Sequence, residues 1–174
     1  MLPFAGSSPS HRHRAPRHGR AAAIALLCCA AIVLAALNTP AITAQATNLA
    51  LNRPVSVSSS ENATAFPPAA VVDGSTSTRW SSAFSDPQWI QVDLGATRSI
   101  SRVVLRWEAA YGKAYQIQVS NDGNTWSNAY STTSGDGGFD EIDLNVSARY
   151  VRMNGTERAT TYGYSLWEFG IYKP

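Results

Sequence analysis

The sequence predicts an all-β domain over residues 47–174, organised as an antiparallel β-sandwich or jelly roll. Short runs beyond residue 51 alternate apolar and polar side chains, which indicates strands with one buried face. Turn residues separate these runs at intervals of about eight to twelve residues. No run after residue 46 combines a 3.6-residue period with helix caps. Short strands at this spacing are typical of sandwiches and jelly rolls, so we expect about eight strands.

The individual strands follow from these alternating runs and from the turns that end them. One run stops at Gly95, and another enters Asn121-Asp122-Gly123-Asn124, a sequence typical of a hairpin turn. The predicted strands are residues 55–58, 89–94, 100–107, 115–119, 139–144, 150–153 and 166–172. The sequence contains no internal repeat and no long linker, so it predicts one folded domain.

Residues 1–46 predict a secretory signal peptide. A basic region containing Arg12, Arg14, Arg17 and Arg20 precedes residues 21–37, which form 17 positions without a charge. The sequence Ala44-Gln45-Ala46 then provides a cleavage site of small residues. A retained membrane anchor is the alternative, because 17 residues is at the short limit for a spanning helix. The cleavage site favours removal, so we expect a secreted protein with no membrane association after cleavage.

Removal of the signal leaves 128 residues, with 10 basic and 12 acidic side chains and a net charge of −2. The basic charge of the whole chain therefore belongs to the signal and gives no indication of nucleic-acid binding, and we expect no nucleic-acid partner. All three histidines and both cysteines lie within residues 1–46, which excludes His-based triads, thiol catalysis and disulfides from the mature domain. Glu61 and Glu108 could in principle cleave a glycoside as a carboxylate pair. An open site built from loops argues against catalysis, so we expect a domain that is not an enzyme.

Six blocks of sequence, in one order, carry a resemblance to a known family. They are residues 48–54 (NLALNRP), 72–80 (VDGSTSTRW), 86–95 (DPQWIQVDLG), 119–126 (VSNDGNTW), 148–152 (ARYVR) and 164–169 (YSLWEF). The chain resembles a discoidin domain (coagulation factor five/eight type C), and within that group the bacterial carbohydrate-binding modules. The resemblance implies a galactose-binding-like jelly roll. Family members with a terminal disulfide have cysteines near both ends of the domain, which this chain lacks.

Residues 73–80 form a loop rich in oxygen ligands. Asp73-Gly74 is a turn signal, and hydroxyl side chains follow it, so the loop could surround a hard cation or could be a polar surface turn. The resemblance implies a structural calcium ion (Ca²⁺), whose ligands would be Ala70, Asp73, Ser75, Thr78 and Glu168. Ser75 stands where many members have Asp or Asn, which removes a possible charged ligand. Alternatively, Asp73 caps its own turn and Glu168 is solvated.

The resemblance also implies that loops at one end of the sandwich bind the ligand. These loops are residues 58–68, 79–87, 108–113 and 154–164. Aromatic rings stack on the C–H groups of a pyranose, and charged planar groups bind paired hydroxyls. The candidate carbohydrate-binding residues are Glu61, Arg79, Phe84, Glu108, Tyr111, Arg158, Tyr162 and Tyr164. We therefore expect a monomeric module with a polysaccharide or oligosaccharide partner.

Residues 107–111 and 162–168 are similar to modules attached to bacterial chitosanases and β-glucanases. In the chitosan-binding modules two glutamates and nearby aromatics hold a glucosamine end, and Glu61 and Glu108 match those positions. A free amine is cationic, so two carboxylates would give it charge-assisted hydrogen bonds. A neutral β-glucan is the alternative ligand. Glu61 could instead be a solvated loop carboxylate, and Glu108 could pair with Arg106 or Lys113.

An adhesion module for membranes or proteins is the competing class of function. Such a module inserts exposed apolar side chains into anionic lipid beside a basic patch. Phe66 and Phe84 could serve as the inserted residues. The net acidic charge of the mature domain and the mixed signs of its candidate loops favour the carbohydrate-binding interpretation.

Overall fold

A computed structural model describes residues 46–174 and confirms the all-β fold. The predicted signal peptide, except for Ala46, lies outside the described residues. The strands are β1 (Val55–Val57), β2 (Trp80–Ser81), β3 (Gln88–Trp107), β4 (Gly112–Ser120), β5 (Ser127–Thr132), β6 (Phe139–Arg158) and β7 (Ser165–Tyr172). A short 3-10 helix covers Pro68–Val72. Within residues 46–174, no helix has the length and hydrophobicity needed to cross a membrane.

The seven strands pair antiparallel in the order β2-β7-β3-β6-β4-β5, with β1 added to β3. The central strands β3 and β6 run 20 residues each, and their pairing is interrupted between Asp93 and Arg98. Before this break, β3 belongs to a layer that also contains β1, β4, β5 and the C-terminal part of β6. After the break, β3 belongs to a layer that also contains β2, β7 and the N-terminal part of β6. The two long strands therefore contribute to both layers of the sandwich.

The corner between the two halves of β3 is fixed by Asp93 and Gly95. Gly95 adopts φ +81°, a left-handed conformation that favours glycine, and its N–H donates to Asp93 Oδ1 at 2.8 Å. From β6, Arg149 donates to both oxygens of Asp93 at 2.8 Å. These hydrogen bonds from Arg149 hold the pKa of Asp93 below its ordinary value of 3.8, with help from the Gly95 N–H and against partial burial.

Alternate residues of the strands bury their side chains between the two layers. Ile90, Val92 and Leu94 of β3 are buried, while the intervening Trp89, Gln91 and Asp93 point outward. The largest fully buried side chains are Trp80, Tyr115, Tyr164, Phe169, Ile90, Leu94, Ile100, Leu105, Ile117, Met153, Leu166 and Ile171. Removing a large aliphatic side chain from water contributes about 1.5–3 kcal/mol, so this core carries the stability of a domain without disulfides.

The seven strands agree with the expectation of about eight, but their bounds differ, because two pairs of predicted strands are continuous and two observed strands had not been predicted. Residues 89–94 and 100–107 both belong to β3, and residues 139–144 and 150–153 both belong to β6. Gly95 marks a corner at which the chain changes layer, whereas the sequence pattern had marked it as a strand end. Strands β2 and β5 had not been predicted, and β2 has only two residues, too few for an alternating pattern.

Candidate functional site

A cavity of about 330 Å³ opens where the four predicted ligand-binding loops meet. Its lining residues are Glu61, Arg79, Ser81, Glu108, Ala109, Ala110, Thr160 and Tyr162. Four of them, Glu61, Arg79, Glu108 and Tyr162, were predicted as carbohydrate-binding residues. They lie as far as 101 positions apart in the chain, so the fold brings them together at this end of the sandwich.

The buried residue Ser165, the first of β7, connects two segments of the cavity wall. Its N–H donates to the carbonyl of Ala110 at 2.8 Å, and its carbonyl accepts from the Glu108 N–H at 3.0 Å. Its Oγ accepts from Arg79 Nη1 at 2.8 Å and donates to the Trp80 carbonyl at 3.2 Å. The start of β7 therefore fixes the segments that carry Arg79 and Glu108.

Glu61 and Glu108 place two carboxylates in the wall of the cavity. The Glu61 N–H donates to the Ser81 carbonyl at 2.8 Å, and its side chain is exposed. Glu108 is half-buried, and its Oε2 accepts from the Ala110 N–H at 3.1 Å. Lys113, considered as a partner of Glu108, instead pairs with Glu157 at 2.7 Å. Within residues 46–174, no basic nitrogen lies within 4.0 Å of either glutamate carboxylate.

Two aromatic contacts complete the site. Tyr162 lines the cavity and is 61% exposed, and its ring meets that of Phe84 edge to face, with the centroids 5.6 Å apart. Phe84 is 46% exposed but is not one of the lining residues. The Arg79 guanidinium carbon lies 3.8 Å from the centroid of the Phe66 ring. The cavity thus combines two carboxylates, one cation and an exposed aromatic ring.

The prediction that Tyr164 contacts a ligand is wrong, because its ring is fully buried in the core. Its hydroxyl donates to Asp86 Oδ1, and burial together with that carboxylate raises the pKa of the phenol. Arg158 donates to Asp86 Oδ2 at 3.2 Å and to the Tyr162 carbonyl at 3.3 Å, so it holds the loop that carries Tyr162. Tyr111 packs against the core, and like Arg158 it does not line the cavity.

Ser81, Ala109, Ala110 and Thr160 line the cavity but were not predicted as site residues. All four lie within the predicted loops, and this position was the only indication in the sequence that they belong to the site. Ala109 and Ala110 leave space in the cavity, whereas the hydroxyls of Ser81 and Thr160 can donate and accept hydrogen bonds.

The oxygen-rich loop after the 3-10 helix is organised by Asp73. Asp73 Oδ1 accepts from the Ser75 N–H and Oδ2 accepts from Thr78 Oγ1, both at 2.7 Å. Ser75 Oγ lies 2.9 Å from Ser77 Oγ. Asp73 therefore caps its own turn, as the simpler interpretation of this loop had suggested, and its side chain is fixed in place.

Glu168 of β7 lies beside this loop, and its buried oxygen Oε2 has no hydrogen-bond partner in the part of the chain that the structure describes. Burial raises the pKa of Glu168 to about 7, the charge of Asp73 adds to this, and the Gly74 N–H opposes it. An ionised, buried and unpaired carboxylate oxygen beside a second carboxylate is unfavourable, and either a bound proton or a bound cation removes this cost.

These residues fit a hard cation with oxygen ligands. Asp73 and Glu168 would supply carboxylates, Ser75 and Thr78 hydroxyls, and Ala70 a carbonyl from the 3-10 helix that packs against β7. The described residues hold no cluster of three or more Asp, Glu, His or Cys, so hydroxyl and carbonyl oxygens would complete the shell. Calcium binding remains a prediction that agrees with this arrangement.

A β-sandwich with a polar cavity between the loops at one end defines a ligand-binding module. The chain belongs to the F5/8 type C domain family, whose model matches residues 54–169. The predicted resemblance to discoidin domains is thereby confirmed.

Two solved structures similar to this chain come from a chitosanase/glucanase of Paenibacillus sp. IK-5. Chitosan-binding module 1 is 52% identical, with a TM-score of 0.70, over 72% of this chain and 98% of the module. Chitosan-binding module 2, solved in complex with chitotriose, is 52% identical, with a TM-score of 0.69, over 72% of this chain and 99% of the module. This chain therefore spans essentially the whole of both modules.

A curated relative is the polysaccharide lyase 8 family protein HylA of Enterococcus faecalis (strain ATCC 700802 / V583). It is 40% identical over 85 residues, which are 47% of this chain and 6% of the lyase. The chain thus matches only a small part of that larger protein.

Proposed function

We propose that this domain is a non-catalytic carbohydrate-binding module whose cavity binds the amine-bearing sugar of a glucosamine oligomer. The observation that carries the proposal is the pair of carboxylates, Glu61 and Glu108, that line one cavity without a basic partner among residues 46–174. The predicted signal peptide supports a further proposal that the module is exported.

The chemistry of the cavity suits a protonated amino sugar. The ammonium group would donate charge-assisted hydrogen bonds to Glu61 and Glu108, which are about twice as strong as neutral hydrogen bonds. The exposed ring of Tyr162 would stack on the sugar, and Arg79 would donate to its hydroxyls. Identity of 52% with two chitosan-binding modules supports this assignment. Because the cavity is open and small, we expect a Kd of about 10⁻⁵ to 10⁻³ M.

Calorimetric titration of the purified protein tests the proposal. Glucosamine oligomers, N-acetylglucosamine oligomers and β-1,3-glucan oligomers are compared for the native protein and for Glu61→Gln and Glu108→Gln. The matched control is Glu157→Gln, which removes a carboxylate paired with Lys113 outside the cavity. We expect binding of the free-amine oligomer alone, weakened about tenfold or more in both cavity variants and unchanged in the control.

Other outcomes discriminate among the alternatives. Binding of only the neutral glucan would keep the carbohydrate-binding function and reject the role of the two carboxylates. If none of the three oligomers binds, the proposal is rejected and a protein or lipid partner is favoured.

We also propose that calcium binds between the loop at Asp73 and β7 at Glu168, where it stabilises the fold. The ion would neutralise the unpaired Oε2 of Glu168 and join the last strand to the loop that follows the 3-10 helix. The melting temperature should rise when calcium replaces a chelator, and this rise should disappear in Glu168→Gln. Glu157→Gln, which removes a carboxylate paired with Lys113 away from this loop, should retain the rise. An equal response of all three proteins would reject the site.

A further inference from the structure

The outer face of the layer containing β3, β6 and β4 carries an ordered set of polar and aromatic side chains. In one row, Gln118 of β4 and Gln91 of β3 flank Arg152 of β6. In the next row, Gln116 and Trp89 flank Asn154. These residues alternate with buried ones along each strand and are themselves half-buried, so they form the solvent side of the sheet. None of them lines the loop cavity.

Arg152 at the centre of this face is a cation with no carboxylate partner among residues 46–174. Its Nε and Nη2 donate to Gln118 Oε1 at 2.9 and 2.5 Å, and its guanidinium carbon lies 4.0 Å from the Trp126 ring centroid. The same guanidinium carbon lies 5.7 Å from the centroid of the Trp89 ring. Partial burial lowers the pKa of Arg152, so the local environment opposes the charge.

Arg152 differs from the other arginines of residues 46–174 in being half-buried, outside the loop cavity and without a carboxylate partner. Arg102, Arg149 and Arg158 each pair with a carboxylate. The remaining five have no carboxylate within 4.0 Å among residues 46–174, but three of them, Arg53, Arg98 and Arg106, are exposed, and Arg79 lines the loop cavity. Residues 1–45 contain no Asp or Glu, so that segment has no acidic side chain to offer. An anionic group from another molecule would neutralise this half-buried charge.

The amides around Arg152 have free hydrogen-bonding capacity. The side chains of Gln91 and Asn154 form no hydrogen bonds with other described residues, and Gln116 uses only Oε1, which accepts from Gln118. Amide groups with free hydrogen-bonding capacity bind sugar hydroxyls, and an indole ring stacks on a pyranose. A flat face with amides, two tryptophans and one uncompensated cation therefore suits a chain of acidic sugars.

We propose that this sheet face is a second glycan-binding surface, selective for a polysaccharide whose sugars carry carboxylates. The guanidinium of Arg152 binds the carboxylate of one sugar unit, Trp89 and Trp126 pack against neighbouring rings, and the amides of Gln91 and Asn154 bind hydroxyls. The surface has the opposite charge preference to the loop cavity. A cationic oligomer at Glu61 and Glu108 and an acidic oligomer at Arg152 consequently bind without competing.

The test titrates the purified protein with oligogalacturonate and with a neutral β-1,4-glucan oligomer of equal length, by calorimetry at low salt. The decisive variant is Gln118→Glu, which replaces the hydrogen-bond acceptor of Arg152 by a carboxylate of nearly the same shape. The internal ion pair should weaken oligogalacturonate binding about tenfold or more. Asn145→Asp, an exposed position in the half of β6 that belongs to the other layer, is the control for added negative charge and should change binding little.

A second pair of variants separates the two sites. Arg152→Gln should abolish oligogalacturonate binding, and Glu61→Gln with Glu108→Gln should leave it intact. The proposal is overturned if the native protein binds no oligogalacturonate, if it binds the neutral oligomer equally well, or if only the loop-cavity variants lose binding. If Arg152→Gln fails to fold, the result with Gln118→Glu decides whether Arg152 binds the acidic sugar. Gln118→Glu keeps the Arg152 side chain that packs on Trp126.

Discussion

Arg79 lies over the ring of Phe66, with its guanidinium carbon 3.8 Å from the ring centroid, while its Nη1 donates to the buried Ser165 at 2.8 Å. The side chain is therefore held on two sides before any ligand arrives. A guanidinium fixed in this way loses little conformational entropy when it donates to a sugar hydroxyl.

Phe66→Ala should weaken binding of glucosamine oligomers about two- to fivefold, which is the scale of an exposed cation–π contact. The reason is that Arg79 gains rotamers in which it no longer lines the cavity. Calorimetric titration measures the effect, and Phe66→Tyr, which retains an aromatic ring, should bind like the native protein. Equal affinity of the alanine variant would show that Phe66 does not position Arg79.

Ser165→Ala should reduce both stability and binding. It removes the hydroxyl that accepts from Arg79 and donates to the Trp80 carbonyl, so one partly buried and one buried hydrogen bond are lost. We expect a decrease of about 1–3 kcal/mol in the free energy of unfolding, measured by urea denaturation. The control Ser101→Ala removes only a 3.4 Å contact with the Tyr172 carbonyl and should change stability much less.

Tyr164→Phe should lower the free energy of unfolding by about 1.5–3 kcal/mol, because it removes one hydrogen bond to the Asp86 carboxylate and leaves the core ring in place. Asp86 keeps its ion pair with Arg158. Sugar affinity should change less than in Tyr162→Ala, which removes the exposed ring. A large loss of affinity with unchanged stability would contradict the buried role of Tyr164.

The contact between Asp93 and Arg149 predicts a specific dependence of stability on pH. Arg149 lowers the pKa of Asp93 in the folded protein, so the unfolded chain binds its proton first as the pH falls. The resulting stabilisation is fully present above the ordinary value of 3.8 and is lost as the pH falls through the lower pKa of the folded state.

Asp93→Asn should therefore be less stable than the native protein near neutral pH, and this difference should shrink below the ordinary pKa of 3.8. Urea midpoints of both proteins between about pH 6 and pH 2.5 measure the change. A difference that stays constant across this range would mean that the charge of Asp93 does not contribute.

The strands that the sequence predicted are those in which one face is buried, because burial produces an alternating pattern. Ile90, Val92 and Leu94 carry that signal, and the structure places all three in the core. The continuity of β3 through Gly95 could not be predicted, because a glycine at a corner between layers has the same local sequence as a glycine at a strand end. Trp80 and Ser81 form too short a strand for any period to be detected.

The candidate site was predictable to the extent that it depends on charged and aromatic side chains in loops. Glu61, Arg79, Glu108 and Tyr162 all line the cavity. Tyr162 and Tyr164 are two positions apart in one loop, and the sequence gives no indication that only the first is exposed. That distinction depends on Gly155 of β6, at which a β-carbon would lie only 2.2 Å from the Tyr164 ring. The ring thus occupies space that a distant glycine leaves open.

The residues that hold the cavity walls are largely different from those that give the cavity its chemistry. Ser165 joins the segments of Arg79 and Glu108 from within the core, while Glu61, Thr160 and Tyr162 line the opening. Substitutions at these three lining positions can therefore change ligand preference without disturbing the anchor. The same scaffold can in this way acquire new specificities through a few inherited changes, with folding largely preserved at each step.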